Sequence, residues 1–271
     1  FFHLHNCNQE GYSIILYPIG QLFSKGKTNY NNFMNNFLVK YLPTVQSITQ
    51  QVGEKLKEDF YKERRIQKAN SRDVHLSNDL LSENYIQKNL KRYFPKIGFW
   101  GEESGKNKVK KRYWVVDPLD GTVNYYFYNP FFAISIALVE NKEIVFGLVY
   151  APMADEFFWA AKGEGAFYQG NKIEIIKDNS FNKAVYGGYN TRQRCVHISQ
   201  FGLPGNKILN KMEMGCASLE LVYVGMSRIN TYLLENIRLW DVAAGIIFIN
   251  EAGGQVTNWQ GRDWTIGDKY L

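Results

Sequence analysis

Cysteine and histidine are scarce in this 271-residue chain. Its three cysteines, Cys7, Cys195 and Cys216, lie far apart and form neither a metal-binding spacing nor a disulfide framework, which favours a reducing compartment and the cytoplasm. Its four histidines, His3, His5, His75 and His197, give no HExxH pattern, which argues against a zinc-protease type of site. Long apolar runs are missing as well. The best candidate, residues 11–24 (GYSIILYPIGQLFS), is too short to span a bilayer, contains Pro18 and lacks the basic flank of a signal peptide. Charged residues make up 21% and hydrophobic residues 45%, a balance that excludes disorder, collagen and coiled coil as descriptions of the whole. No repeat and no linker divides the sequence, so residues 1–271 read as a single domain.

Aromatics are plentiful, with 18 Tyr, 18 Phe and 6 Trp, and a chain of this length can bury a core without covalent staples. The formal net charge of +6 attracts anions, whether phosphorylated metabolites, nucleic acid or acidic lipid, without choosing among them. Residues 27–36 (KTNYNNFMNN) read as a polar loop or helix entry, and Pro43 suits the first turn of a helix. Val45, Ile48, Val52, Leu56 and Phe60 then mark one apolar face of that helix, which ends in the charged stretch Lys62 to Lys68. Leu80, Leu81, Ile86 and Leu90 suggest a second helix, stopped before Pro95.

From residue 97 the period shortens. Short β runs are expected at Ile97 to Trp100, Tyr113 to Asp117, Ala133 to Glu140, Ile144 to Tyr150, Phe157 to Ala161 and Ala166 to Gln169. Asn141-Lys142 and Gly170-Asn171 are expected to turn the chain, with Lys172 to Ile176 beyond. Ala217 to Gly225 and Trp240 to Glu251 look helical, Ile229 to Leu234 looks like a strand, and Gly253-Gly254 should end the last helix. Helices around a largely antiparallel middle predict a layered, mixed α/β domain.

The strongest chemical signal is WVVDPLDGTVN, Trp114 to Asn124. An apolar strand runs into Asp117, Pro118 turns the chain, and Asp120, Gly121 and Thr122 follow. Two carboxylates on one tight turn can converge on one site. Gly121 lets backbone approach closely, and a helix starting there aims free N–H groups at an anion. That assembly suits a divalent cation bridged to a phosphate. Taken singly, Asp, Pro and Gly are ordinary turn residues. Glu102, in Gly101-Glu102-Glu103-Ser104, again places a carboxylate at a strand end. Asp241 opens an apolar helix, where by itself it would be an N-cap, and Asp73 and Asp79 precede the second helix as solvated or capping acids. The basic stretch Lys106 to Arg112 reads as a solvated hairpin loop, since it lacks the interleaved aromatics of a nucleic-acid groove.

Together, WVVDPLDGTVN, the upstream GEES and the downstream LWDVAAGIIFINEAGG resemble the three signature segments of the inositol monophosphatase family. The resemblance covers roughly residues 40–265, leaving residues 1–40 as a poorly matched extension and the chain short of the family's usual C-terminal region. It implies a layered αβαβα sandwich of the inositol monophosphatase and fructose-1,6-bisphosphatase type, a homodimer, and a lithium-sensitive, Mg²⁺-dependent phosphomonoesterase with two or three ions. Carried over by position, it implies that Glu102 and Asp117, with the Leu119 carbonyl, hold one metal, and that Asp117, Asp120 and Asp241 hold a second. It pairs Asp79 with Thr122 to orient the attacking water, with Glu102 assisting. Gly121 and Thr122 would donate N–H groups to the phosphate, and Asp120, Gly215, Ala217, Glu235 and Asp241 would contact substrate. Lys68 and Asp73 match peripheral positions. Phe127 stands where many members have His, and Glu235 lies one residue closer to Asp241 than is usual.

The chemistry agrees. Each like-charged pair at about 4 Å costs on the order of 4 kcal/mol at an effective dielectric near 20, so four or five converging carboxylates call for cations. Oxygen ligands without Cys or His indicate hard ions, Mg²⁺ or Mn²⁺. The expected activity is hydrolysis of a small phosphate monoester, inositol 1-monophosphate first, by direct attack of metal-activated water. Histidinol phosphate is the alternative substrate, and a regulatory member acting through RNA or protein binding is the non-enzymatic alternative.

Overall fold

The computed structural model describes residues 30–62, 66–69, 74–107, 111–176, 184–188 and 208–271. Helix α1 (Tyr30–Asp59) buries Val45, Ile48, Val52 and Leu56 along the face that their spacing predicts, with Phe60 just beyond its end. It starts well before Pro43, which lies inside the helix and not in its first turn. A proline removes only one backbone donor, and the Asn-rich stretch from Tyr30 continues the helix across it. The expected charged tail instead contains strand β1 (Ile66–Ala69), paired antiparallel with β2 (Val74–Leu76).

Helix α2 (Ser77–Tyr93) opens on the bond from Leu76 N–H to Asp79 Oδ2 at 2.7 Å and closes on Lys91 and Arg92, whose charges suit the two ends of the helix dipole. Its buried face carries Asp79, Ser82, Glu83, Ile86 and Leu90. The helix suggested by Leu80, Leu81, Ile86 and Leu90 is present, but Leu80 and Leu81 are 37% and 69% exposed. The inward face carries two acids, Asp79, which binds the Leu76 N–H locally, and Glu83, whose partners lie in a turn about 20 residues further on.

The main sheet contains β3 (Gly98–Gly101), β4 (Gly105–Asn107), β5 (Arg112–Asp120), β6 (Ala133–Glu140), β7 (Glu143–Ala151), β8 (Glu156–Ala161), β9 (Gly165–Tyr168) and β10 (Asn171–Ile173). Their order is β10-β9-β8-β7-β6-β5-β3-β4, antiparallel except for the β3–β5 pair. Strands β5 and β6 are buried on both faces, so their sequences are continuous apolar runs without alternation. Asn141 and Lys142 turn between β6 and β7 with φ of 52° and 69°, the backbone of a tight two-residue hairpin. The later turn uses Gln169-Gly170, one residue before the expected pair, because these two take the positive φ values of 49° and 79°.

Helices α1 and α2 cover one face of the sheet; α4 (Ala217–Gly225) and α5 (Leu239–Glu251) cover the other. A parallel sheet of β12 (Ile208–Met212), β11 (Ala184–Gly188) and β13 (Thr231–Leu233) forms a further layer, where Tyr232 packs with Leu221 of α4 and Ile246 of α5. Gly253, at φ 88°, ends α5 as expected, with Gly254 N–H returning to the Ile249 carbonyl at 2.9 Å. Among the described residues no helix is long and apolar enough to cross a membrane.

Candidate active site

Strand β5 ends at a discontinuity. Its pairing with β6 shifts register between Asp117 and Asp120, across Pro118, which has no N–H to offer the ladder. Asp117 folds back on this turn, its Oδ1 accepting the Leu119 N–H at 3.0 Å. The Leu119 carbonyl accepts the Thr122 hydroxyl at 2.9 Å. Gly121 follows at φ 90°, and a Cβ there would meet the Phe131 carbonyl oxygen at 2.8 Å, so only glycine fits between β5 and the short helix α3 (Thr122–Tyr126). The first N–H groups of α3 precede the helix's own hydrogen bonds.

Three further elements bring acids to this turn. GEES forms the turn of the β3–β4 hairpin, and Glu102 N–H donates to the Val116 carbonyl at 3.2 Å, one residue before Asp117. Helix α5 is pinned at its start, where Ser135, the register partner of Asp117 on β6, donates its hydroxyl to the Trp240 carbonyl at 3.2 Å. Asp241 is therefore held above the same strand end. Strand β2, whose last residue Asp79 caps, packs against α3. Asp79 is 2% exposed, and the Thr122 hydroxyl is directed to Leu119 and not to Asp79.

These carboxylates act on one another. Burial first, then repulsion from Glu102, Asp120 and Asp241, raises the Asp117 carboxyl well above the usual range. Asp241 is raised in the same way, by burial and by Asp120 and Glu102, against a weaker opposing pull from Arg238. Burial also raises Asp120, opposed by the donors around its Oδ2: Ser218 N–H and hydroxyl, each at 2.6 Å, and the Cys216 thiol at 3.2 Å. Asp120 thus sits at the N-terminus of α4, where an anion is favoured. Among the described residues no three metal-ligating side chains are already set as a closed cation cage. Four carboxylates from three elements, of which Asp117 and Asp241 are raised first by burial and then by the neighbouring acids, are nevertheless a set that hard dications would bind and relieve.

The loop before α4 is bolted at both polar groups of Met214. Its N–H donates to Glu220 Oε1 at 2.7 Å, and its carbonyl accepts Asn124 Nδ2 at 2.6 Å. Tyr232 donates to the other oxygen of Glu220 at 3.1 Å. Ala217, just after this loop, offers its backbone to Asp120, while Gly215, within the loop, lies against Asn124. Cys216 is fully buried, and burial and Asp120 push its thiol well up, so it keeps its proton and is a poor nucleophile. Glu235 pairs with Tyr270 in an isolated antiparallel bridge. Lys68 lies on β1, opposite His75, while Asp73 falls outside the described residues, as do residues 108–110 of the basic stretch.

Four buried or half-buried groups at the site, Glu83, Asn124, Ser218 and Glu220, carry roles that the sequence reading did not give them. Asn124 stood within the quoted motif, and Glu83 follows Asp79 at helical spacing. Ser218 and Glu220 follow the Gly215–Ala217 segment directly but read as ordinary helix residues.

The profile of the inositol monophosphatase family matches residues 39–271. A protein named Nus factor SuhB from Xylella fastidiosa is 36% identical over 189 residues, spanning 68% of this chain and 69% of that protein. A Dictyostelium discoideum protein named inositol monophosphatase is 31% identical over 238 residues, 83% of this chain and 86% of its own length. The solved structure of a Thermotoga maritima IMPase superposes with a TM-score of 0.76 at 29% identity, covering 83% of this chain and 87% of that one. The layered fold, the acids gathered at the end of β5 and these likenesses agree: the chain belongs to the inositol monophosphatase family of phosphomonoesterases.

Proposed function

We propose that the protein hydrolyses a small phosphate monoester, inositol 1-monophosphate first, in a Mg²⁺-dependent reaction. The observation that carries this reading is the convergence of Glu102, Asp117, Asp120 and Asp241 on one strand end from three parts of the chain, where Asp117 and Asp241, raised first by burial, also feel the neighbouring acids. Glu102, Asp117, Asp120, Asp241 and the Leu119 carbonyl would hold the ions. Bound there, Mg²⁺ supplies charge neutralisation of the phosphoryl group and acidification of the attacking water. Thr122 and Asp79 orient that water, and Asp79 is the base that takes up its proton. The N–H groups of Gly121 and Thr122 bind phosphate oxygens. A water oxygen bonds to phosphorus as the ester P–O bond breaks, and a proton passes to the departing alcohol. Gly215, Ala217, Glu235, Asp120 and Asp241 contact the alcohol. The same reading takes the protein as a cytoplasmic homodimer inhibited by Li⁺, with Mn²⁺ able to replace Mg²⁺.

Phosphate release from a panel of monoesters, with and without Mg²⁺, tests the reading. Turnover of inositol 1-monophosphate only with Mg²⁺ supports it; turnover of histidinol phosphate alone replaces the substrate and keeps the site; no release from any monoester refutes it. The relative named a Nus factor favours a second reading, in which the protein acts by binding RNA or protein. Asp120→Asn separates the two, because cellular function that survives loss of hydrolysis belongs to binding.

A further inference from the structure

Resting on that reading, we infer that Glu83 is a positioning residue that fixes the metal ligand Glu102. Glu83 lies one helical turn after Asp79 on the inward face of α2 and is 1% exposed. Its two oxygens accept consecutive backbone N–H groups of the GEES turn: Oε2 from Glu103 and Oε1 from Ser104, each at 2.8 Å. Glu102 is therefore bracketed. Its own N–H is tied to Val116 of β5, and the two residues after it are tied to α2. Among the described residues these two bonds are the ones that hold the Glu83 carboxylate.

The sequence makes room for this clasp. A Cβ on Gly101 would lie 2.3 Å from Glu83 Oε2, so the residue before Glu102 has to be glycine for the carboxylate to reach the turn. Burying a carboxylate against backbone donors is an expensive way to close a hairpin that ordinary turn residues could close. It is an effective way to fix a turn whose neighbouring side chain must meet an ion at a defined place, because bonds to a charged acceptor are short and strong. Since Asp79 and Glu83 share one rigid helix, α2 also sets the distance between the proposed water-orienting acid and the turn that presents Glu102.

The test measures Mn²⁺ affinity of the purified full chain by electron paramagnetic resonance, without substrate, alongside the Mg²⁺ concentration that half-activates phosphate release. Glu83→Gln, which presents an amide to one of the two N–H donors, and Glu83→Asp, which keeps the charge but is one methylene short, should each weaken Mn²⁺ binding by roughly 10- to 100-fold. The half-activating Mg²⁺ concentration should rise by a similar factor, with the rate at saturating Mg²⁺ largely kept. Wild-type affinity in Glu83→Gln overturns the inference. Wild-type affinity in Glu83→Asp alone also overturns it, since the role is then charge and not position. Glu102→Gln serves as the reference: if it and the wild type both bind no Mn²⁺, the phosphatase reading itself fails. If Glu83→Gln does not fold, Glu83→Asp carries the same test.

Discussion

Replacing Glu220 by Gln should change how stability depends on pH. Glu220 is 1% exposed and holds the Met214 N–H and the Tyr232 hydroxyl. Burial raises its pKa from 4.5 to about 7, more than these two bonds lower it, with Asp120 and Glu213 adding repulsion. Between those two values the folded protein binds more protons at this position than the unfolded chain, so stability falls as pH rises through the interval. The full fall is about 3 kcal/mol, at about 1.4 kcal/mol per pKa unit. Gln keeps an oxygen for Met214, and its amide can donate to Tyr232, but it does not titrate. In urea unfolding between pH 4.5 and 8, the wild type should lose on the order of 2–3 kcal/mol relative to Glu220→Gln, most of it before neutrality. A difference between the two proteins that stays flat across this range would refute the reasoning.

Gly101→Ala should destabilise the fold by roughly 1–3 kcal/mol in the same unfolding assay, because the added methyl meets the Glu83 carboxylate at 2.3 Å. Ser218→Ala removes a 2.6 Å bond to Asp120 and should lower stability by about 1.5–3 kcal/mol. It should also push the Asp120 carboxyl further up, since Ser218 lowers it now, and move the acid limb of the pH–activity profile to higher pH. Asp117 and Asp241 are both raised, so the metal-free protein loses stability as pH climbs above the ordinary carboxylate range, and cation binding must release the protons they retain. Mg²⁺ should therefore raise the melting temperature more at pH 8 than at pH 5.5, as differential scanning fluorimetry would record.

Much of the fold was legible because local chemistry and burial coincide. The run from Tyr113 to Asp117 is apolar on both faces of β5, and Asn141-Lys142 is a two-residue turn between apolar strands. Helix α4 has the bounds that its sequence suggests. Reading failed where tertiary partners decide. Leu80 and Leu81 signal the helix correctly but not its buried face, since α2 turns Asp79 and Glu83 inward, and Glu83 reaches a turn 20 residues away. The β1–β2 ribbon has too few residues to show a period among charged neighbours. The DPLDGT acids could be found from one short stretch, whereas Ser218 meets Asp120 across 98 residues of chain and leaves no local mark. Glu220 is hidden for the same reason, since its raised pKa comes from burial and not from any spacing.

The central claim is that Glu102, Asp117, Asp120 and Asp241 form one oxygen-lined site for hard dications beside a phosphoryl group. Anomalous scattering from crystals grown with Mn²⁺ and phosphate tests it most directly. The account predicts Mn²⁺ peaks ligated by these carboxylates and by the Leu119 carbonyl, with phosphate at the Gly121-Thr122 N–H groups. Mn²⁺ bound elsewhere, with the four side chains making no contact to it, would contradict the account.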